Sequence, residues 1–227
     1  MKRIRPSQYG DRLRFVHGLL ACACLWFAAA ASHPAAAQAR PVQIVAFGDS
    51  LSAGYQLPER AAFPTVLERV LREGGLPADV SNAGVSGDTS SNGLERLDWA
   101  IGPDTDIVIL ELGANDMLRG LNPDITYKSL SEIMARLQGK KIKVLLAGMI
   151  AAPGIGSDYE AKFNAIYTRL AKEFSAPLYP FFLQGVAGNP KLQLADGMHP
   201  NGQGVEIIAK GIAPMVRTLA ASAQRAE

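Results

Sequence analysis

Apolar and polar positions alternate along most of this chain with two different periods. Short, mainly apolar runs occur at Val42–Ala46, Ile107–Leu110, Ile142–Ala147 and Pro177–Tyr179, and Asp79–Asn82 is read as a further short strand although only Val80 in it is strongly strand-forming. Each is too short for a helix, and Ile107–Leu110 is apolar on both faces, as a covered parallel strand should be. Between them lie stretches with apolar residues at helical spacing. Phe63, Val66, Leu67, Val70 and Leu71 follow Pro64 and stop at Gly74-Gly75, which predicts a helix with proline in its first turn. Asp88 or Thr89 can cap a helix carrying Leu94, Leu97 and Ile101. Further stripes run through Leu130, Ile133, Met134 and Leu137, and from Tyr159 to Phe174. The last runs from Val205 to Leu219, with a kink expected at Pro214.

Strand and helix in alternation predict an α/β fold, a three-layer α/β/α sandwich with a parallel sheet covered on both faces. Five strands favour the flavodoxin-like order 2-1-3-4-5, in which ligands bind beyond the carboxyl ends of strands one and three. That rule brings Ser50 next to Gly113-Ala114-Asn115-Asp116.

Residues 1–39 differ in kind. Lys2, Arg3, Arg5, Arg12 and Arg14 precede an apolar stretch from Leu19 to Ala31, and small residues follow at Ala35–Ala39. This reads as a secretory signal peptide, with a retained anchor as the alternative. Leu19-Leu20-Ala21-Cys22 loosely suggests a lipid-attachment site, but the apolar run continues past Cys22. The expected catalytic domain is residues 40–227, and export to the periplasm or medium is expected with it.

The leader dominates the composition. Five of the 23 basic residues and one of the 21 acidic residues precede Arg40, so the formal net charge moves from +2 to −2 when the leader is removed. The basic balance is therefore no argument for nucleic acid or an anionic membrane as partner. Cys22 and Cys24 also lie in the leader, as do His17 and His33. Thiol chemistry is thus excluded from residues 40–227, and any imidazole chemistry falls to His199.

Four polar turns carry unusual chemistry: Gly48-Asp49-Ser50-Leu51-Ser52, Asn82 to Ser90, Gly113 to Asp116, and Asp196-Gly197-Met198-His199-Pro200. Ser50 lies where a strand breaks into a turn, the placement that exposes nucleophilic serines in other hydrolases. A hydroxyl needs a base, and the base needs a partner that fixes its tautomer. Asp196 and His199 can supply both from one loop. Three donors are available to a developing oxyanion: the backbone N–H groups of Ser50 and Gly87, and the Asn115 amide.

These four blocks, in this order and spacing, resemble the SGNH hydrolases, also called the GDSL esterase/lipase superfamily. The similarity covers essentially residues 40–227 and is greatest to the bacterial periplasmic arylesterases and multifunctional thioesterase/lysophospholipases. The resemblance places the family's Ser, Gly, Asn and His on Ser50, Gly87, Asn115 and His199, with Asp196 as its aspartate. It implies two-step hydrolysis of small aryl or acyl esters, lipid-derived ones included, without metal or organic cofactor. Asp49, Leu51, Met117, Leu118, Ile155 and Met198 flank the turns and are the candidate substrate contacts. Met117 stands where that branch often has glycine, at the start of a segment resembling a mobile substrate loop, and should reshape the acyl site. A carbohydrate O-acetylesterase is the alternative with the same chemistry. A non-catalytic binding module and a flavodoxin-like cofactor carrier are alternatives from other classes.

Overall fold

The computed structural model describes residues 40–223, so the leader expected at residues 1–39 lies outside the described residues. Five parallel strands form one sheet: β1 (Val42–Gly48), β2 (Ala78–Gly84), β3 (Ile107–Glu111), β4 (Lys143–Ala147) and β5 (Leu178–Tyr179). Their order is β2-β1-β3-β4-β5, as the alternation predicts. β2 is longer than its sequence suggests. Ser81-Asn82-Ala83-Gly84 are poor strand formers, but all seven residues pair with β1, from Val42↔Ala78 to Gly48↔Gly84. Ladder pairing overrides propensity there.

Helices fill the connections: α1 (Ser50–Ala53), α2 (Phe63–Glu73), α3 (Ser90–Ala100), α4 (Ala114–Leu118), α5 (Pro123–Gly139), α6 (Ser157–Glu173) and α7 (Gly202–Ala223). α2 packs on α7, while α3 packs on α5 and α5 on α6. The two layers follow from handedness. The β1–β2 crossover runs one way across the sheet and the later crossovers run the other, so right-handed connections put their helices on opposite faces. α2 shows how sequence sets this packing. Phe63, Val66, Leu67, Val70 and Leu71 are buried along one stripe, and Gly74 ends the helix. Burying each such side chain is worth about 1.5–3 kcal/mol. α7 runs from Gly202 to Ala223 with Pro214 inside it.

Among the described residues, no helix is long and apolar enough to cross a membrane.

The register sets up the site. Gly48 pairs with Gly84 on one side and with Glu111 on the other, so three strand ends lie level. The polar turns then leave from that edge. Close approach explains the two glycines. A Cβ on Gly48 would lie 2.4 Å from Glu111 Oε2, and one on Gly84 would lie 2.3 Å from the Ala53 nitrogen. Without side chains at these positions, α1 can settle directly on the strand ends.

Candidate active site

Ser50 is the first residue of α1, and Asp49 is its cap, accepting from the Leu51 N–H at 3.0 Å. Gly54 closes this single turn in the left-handed conformation (φ +83°). Ser50 is half-buried, and its Oγ lies 2.8 Å from His199 Nε2. His199 Nδ1 lies 2.6 Å from Asp196 Oδ2. The other oxygen, Asp196 Oδ1, accepts from the backbone N–H groups of Met198 (2.9 Å) and His199 (3.0 Å). Those two backbone bonds, followed by the imidazole, lower the Asp196 carboxyl from its ordinary value to about 2. The carboxylate thus stays an acceptor for Nδ1–H and leaves Nε2 to face the hydroxyl. The Tyr55 ring stacks at a tilt on His199, with centroids 4.5 Å apart.

Gly87 sits in the second turn with φ +89°. Among the described residues, neither the Ser50 nor the Gly87 backbone N–H is paired with a protein acceptor. Asn115 differs. Its Nδ2 donates to Asp49 Oδ2 and to the Asp88 carbonyl, each at 3.0 Å, so both amide hydrogens are engaged. An oxyanion can receive this amide only if one of those bonds is shared or released.

The candidate substrate contacts divide into two groups. Asp49 is fully buried, and its carboxylate is spent on Leu51 N–H and the Asn115 amide. Leu51 is also buried, in the core. Both are buried because the α1 turn that exposes Ser50 points its two neighbours inward. Leu118, Ile155 and Met198 are exposed, Leu118 at the end of α4 and the other two in the connections before α6 and α7. Met117 is half-buried and packs against the core.

Burial gives the site two features that the motifs do not show. Glu111, at the end of β3, is fully buried. Its Oε2 accepts from the Ser52 hydroxyl (2.8 Å) and the Asp49 N–H (3.2 Å), while Oε1 has no hydrogen-bond partner among the described residues. Burial, then the Asp49 charge, holds its carboxyl well above the ordinary value. Burial likewise raises Asp49 to about 6. The second feature is Arg96 on α3, buried and paired with Asp88. A charge inside the apolar run of β3 was a visible signal for Glu111. Arg96 could be found from its place beside Leu97 on the inner face of α3.

Asp116 ties the second and third turns together. It accepts from Ser90 N–H (2.8 Å), Ser90 Oγ (2.5 Å) and Thr126 Oγ1 (3.0 Å). A cleft of about 800 Å³, lined in part by Lys141, Ile142, Phe174 and Leu219, lies at the opposite, amino-terminal edge of the strands. It holds none of the candidate site residues. Among the described residues, no three His, Cys, Asp or Glu side chains converge to hold a metal ion.

Comparison with known proteins gives a consistent result. The profile of a family described as "GDSL-like Lipase/Acylhydrolase family" matches residues 46–207. An arylesterase of Vibrio mimicus is 38% identical over 172 residues, covering 75% of this chain and 86% of the relative. The "Thioesterase 1/protease 1/lysophospholipase L1" of Escherichia coli K12 is 37% identical over 177 residues, covering 78% and 84%. Among solved structures, AlinE4, described as an SGNH-hydrolase family esterase, is 43% identical with a TM-score of 0.68, covering 79% of this chain and 96% of that one. A structure titled TesA aligns with a TM-score of 0.74 at 32% identity, covering 78% and 99%.

Proposed function

The chain belongs to the GDSL-like lipase/acylhydrolase family, and we propose that it hydrolyses carboxylic esters by way of an acyl-enzyme on Ser50. The observation that carries this reading is the unbroken line from Ser50 Oγ through His199 to Asp196, at 2.8 and 2.6 Å. In the first step Ser50 Oγ attacks the carbonyl carbon while His199 Nε2 takes its proton. Asp196 stabilises the resulting imidazolium, and the N–H groups of Ser50 and Gly87, with Asn115, receive the oxyanion. Collapse breaks the bond to the leaving group, which takes the proton from His199. Water, deprotonated by the same imidazole, then repeats the attack and releases the acid.

Aryl and acyl esters are the substrates proposed first, with acyl-thioesters and lysophospholipids next. Relatives carrying the names arylesterase and thioesterase/lysophospholipase support that order. Exposed apolar Leu118, Ile155 and Met198 suit an acyl or aryl group better than a sugar. Export follows from the leader, and the mass of the protein recovered from periplasm tests it. One panel of aryl esters, acyl-thioesters, lysophospholipids and acetylated glycans, run with wild type and Ser50→Ala, tests the rest. Ser50-dependent hydrolysis of aryl or acyl esters is expected. Turnover confined to acetylated glycans would favour the O-acetylesterase reading, and none at all the binding module.

A further inference from the structure

Arg96 carries its charge where a charge is costly. Its side chain is 8% exposed, and its hydrogen bonds run inward. Nε donates to Asp88 Oδ2 (2.5 Å), Nη1 to the Ala83 carbonyl (2.9 Å) and Nη2 to the Gly48 carbonyl (2.8 Å). Its Cζ lies 4.2 Å from the centre of the Phe47 ring. A buried ion pair contributes little net stability compared with apolar side chains of the same shape. Core building alone therefore does not account for it, but the positions of its partners do.

Gly48 ends β1, two residues before Ser50, and Ala83 lies at the end of β2. Asp88 follows Gly87, and its own carbonyl accepts from Asn115 Nδ2. One planar guanidinium thus spans two strand ends and the Asp88 carboxylate. Each of the three candidate oxyanion donors lies within two residues, or one hydrogen bond, of a group that Arg96 holds. The helix carrying Arg96 is itself fixed to the same turn. Thr89 caps α3 and exchanges bonds with Asn92, so the distance from Asp88 to Arg96 is set locally.

We infer that Arg96 is a positioning residue for the oxyanion-binding groups and acts through Asp88, an inference that rests on the reading of Ser50, Gly87 and Asn115 given above. The fork bonds two carbonyls and a carboxylate at once. A lysine, a point charge on a flexible stem, cannot do so. The donors it aligns are needed most when charge develops on the carbonyl oxygen, so its loss should reduce kcat rather than raise KM.

The test is aryl-ester kinetics on wild type, Arg96→Lys, Asp88→Asn, Asn115→Ala and the Arg96→Lys/Asn115→Ala double variant. Arg96→Lys should lower kcat roughly 10–100-fold with KM within about threefold. In the Asn115→Ala background the same change should cost under about threefold, because much of what Arg96 positions is already gone. A kcat within about twofold of wild type in Arg96→Lys overturns the inference, as does an undiminished loss in the Asn115→Ala background. If Arg96→Lys does not fold, Asp88→Asn and its double with Asn115→Ala carry the same expectation and the same refutation. A wild type without Ser50-dependent turnover would remove the underlying reading and this inference together, an outcome distinct from failure of Arg96 alone.

Discussion

Ser50 and His199 are 149 residues apart in the chain, yet Ser50 Oγ and His199 Nε2 are 2.8 Å apart. Sheet order is the reason. β1 occupies the sheet interior, so its carboxyl end is bordered by the turns that follow β2 and β3. The turn before α7 returns to the same edge and is closed by bonds of its own, from Leu194 N–H to the His199 carbonyl (2.8 Å) and from Gly197 N–H to the Leu194 carbonyl (3.0 Å). The imidazole therefore reaches the serine from a braced loop rather than a free one.

Asp196 should show its role in both rate and stability. Asp196→Ala is expected to lower kcat by about 10³–10⁴-fold, since the imidazole loses its orienting acceptor. The folded-state value of about 2 lies below the ordinary 3.8. Between these values the unfolded chain holds more protons than the folded one. The stabilising contribution is therefore present above about pH 4 and lost as pH falls through about 2. Urea unfolding across pH 2–5 should show a steeper slope in wild type than in Asp196→Asn, the remainder coming from Asp79, Asp98 and Asp106, whose carboxyls are also lowered.

Asp49 and Glu111 predict the opposite slope. Both carboxyls are raised by burial, Asp49 to about 6 and Glu111 further in the same direction from its ordinary 4.5. Near pH 5 the folded chain keeps protons that the unfolded chain has released. Their contribution is thus complete below about pH 4 and is lost as pH rises through about 6 and beyond. Glu111→Gln keeps an acceptor for Asp49 N–H and Ser52 Oγ but cannot ionise. Its stability should fall less than that of wild type between pH 4 and 8 in denaturant titrations. Parallel curves would contradict the assignment of a neutral acid beneath α1.

Gly48 tests the close approach of α1 to the sheet. An added Cβ would meet Ser52 Oγ at 2.3 Å and the Glu111 carbonyl, which is backbone and cannot yield, at 2.6 Å. Gly48→Ala should cost about 1–3 kcal/mol in thermal or chemical unfolding. Gly139→Ala, where an added Cβ meets nothing within 4 Å, should change stability by less than about 1 kcal/mol.

Asn115→Ala should reduce turnover by about 10²–10³-fold with little change in KM, if its amide serves the oxyanion. Because that amide is bound to Asp49 and Asp88 in the resting site, steady-state kinetics on Asn115→Asp give a second measure. A carboxylate there keeps the shape, removes both donors and sets a like charge against Asp49. It should be at least as damaging as alanine.

The fold was legible where the physics is periodic. The apolar runs and helical stripes gave all five strands and their order, because covered parallel strands and one-faced helices leave a signature in single residues. Ser50, Asp196 and His199 were legible because their chemistry is tied to residue type. What remained hidden depends on direction. Asp49 and Leu51 adjoin the serine in sequence, and only the α1 turn shows that they face inward. Asn115 could be nominated as a donor, but its existing bonds to Asp49 and Asp88 come from different strands. Arg96 adjoins Leu97 on α3, but its convergence on two strand ends and Asp88 is visible only in the structure. Ala83 and Gly84 extend β2 beyond the expected Asp79–Asn82 through pairing that their own propensities do not favour.

The central claim is that Ser50 is the group that takes the acyl chain, activated by His199. The most direct measurement is covalent labelling with a fluorophosphonate, followed by peptide mapping of the adduct. One adduct on Ser50 is expected, greatly slowed in His199→Ala and absent in Ser50→Ala, with ester turnover lost in parallel. An adduct on another residue, or Ser50→Ala that hydrolyses esters at the wild-type rate, would contradict it.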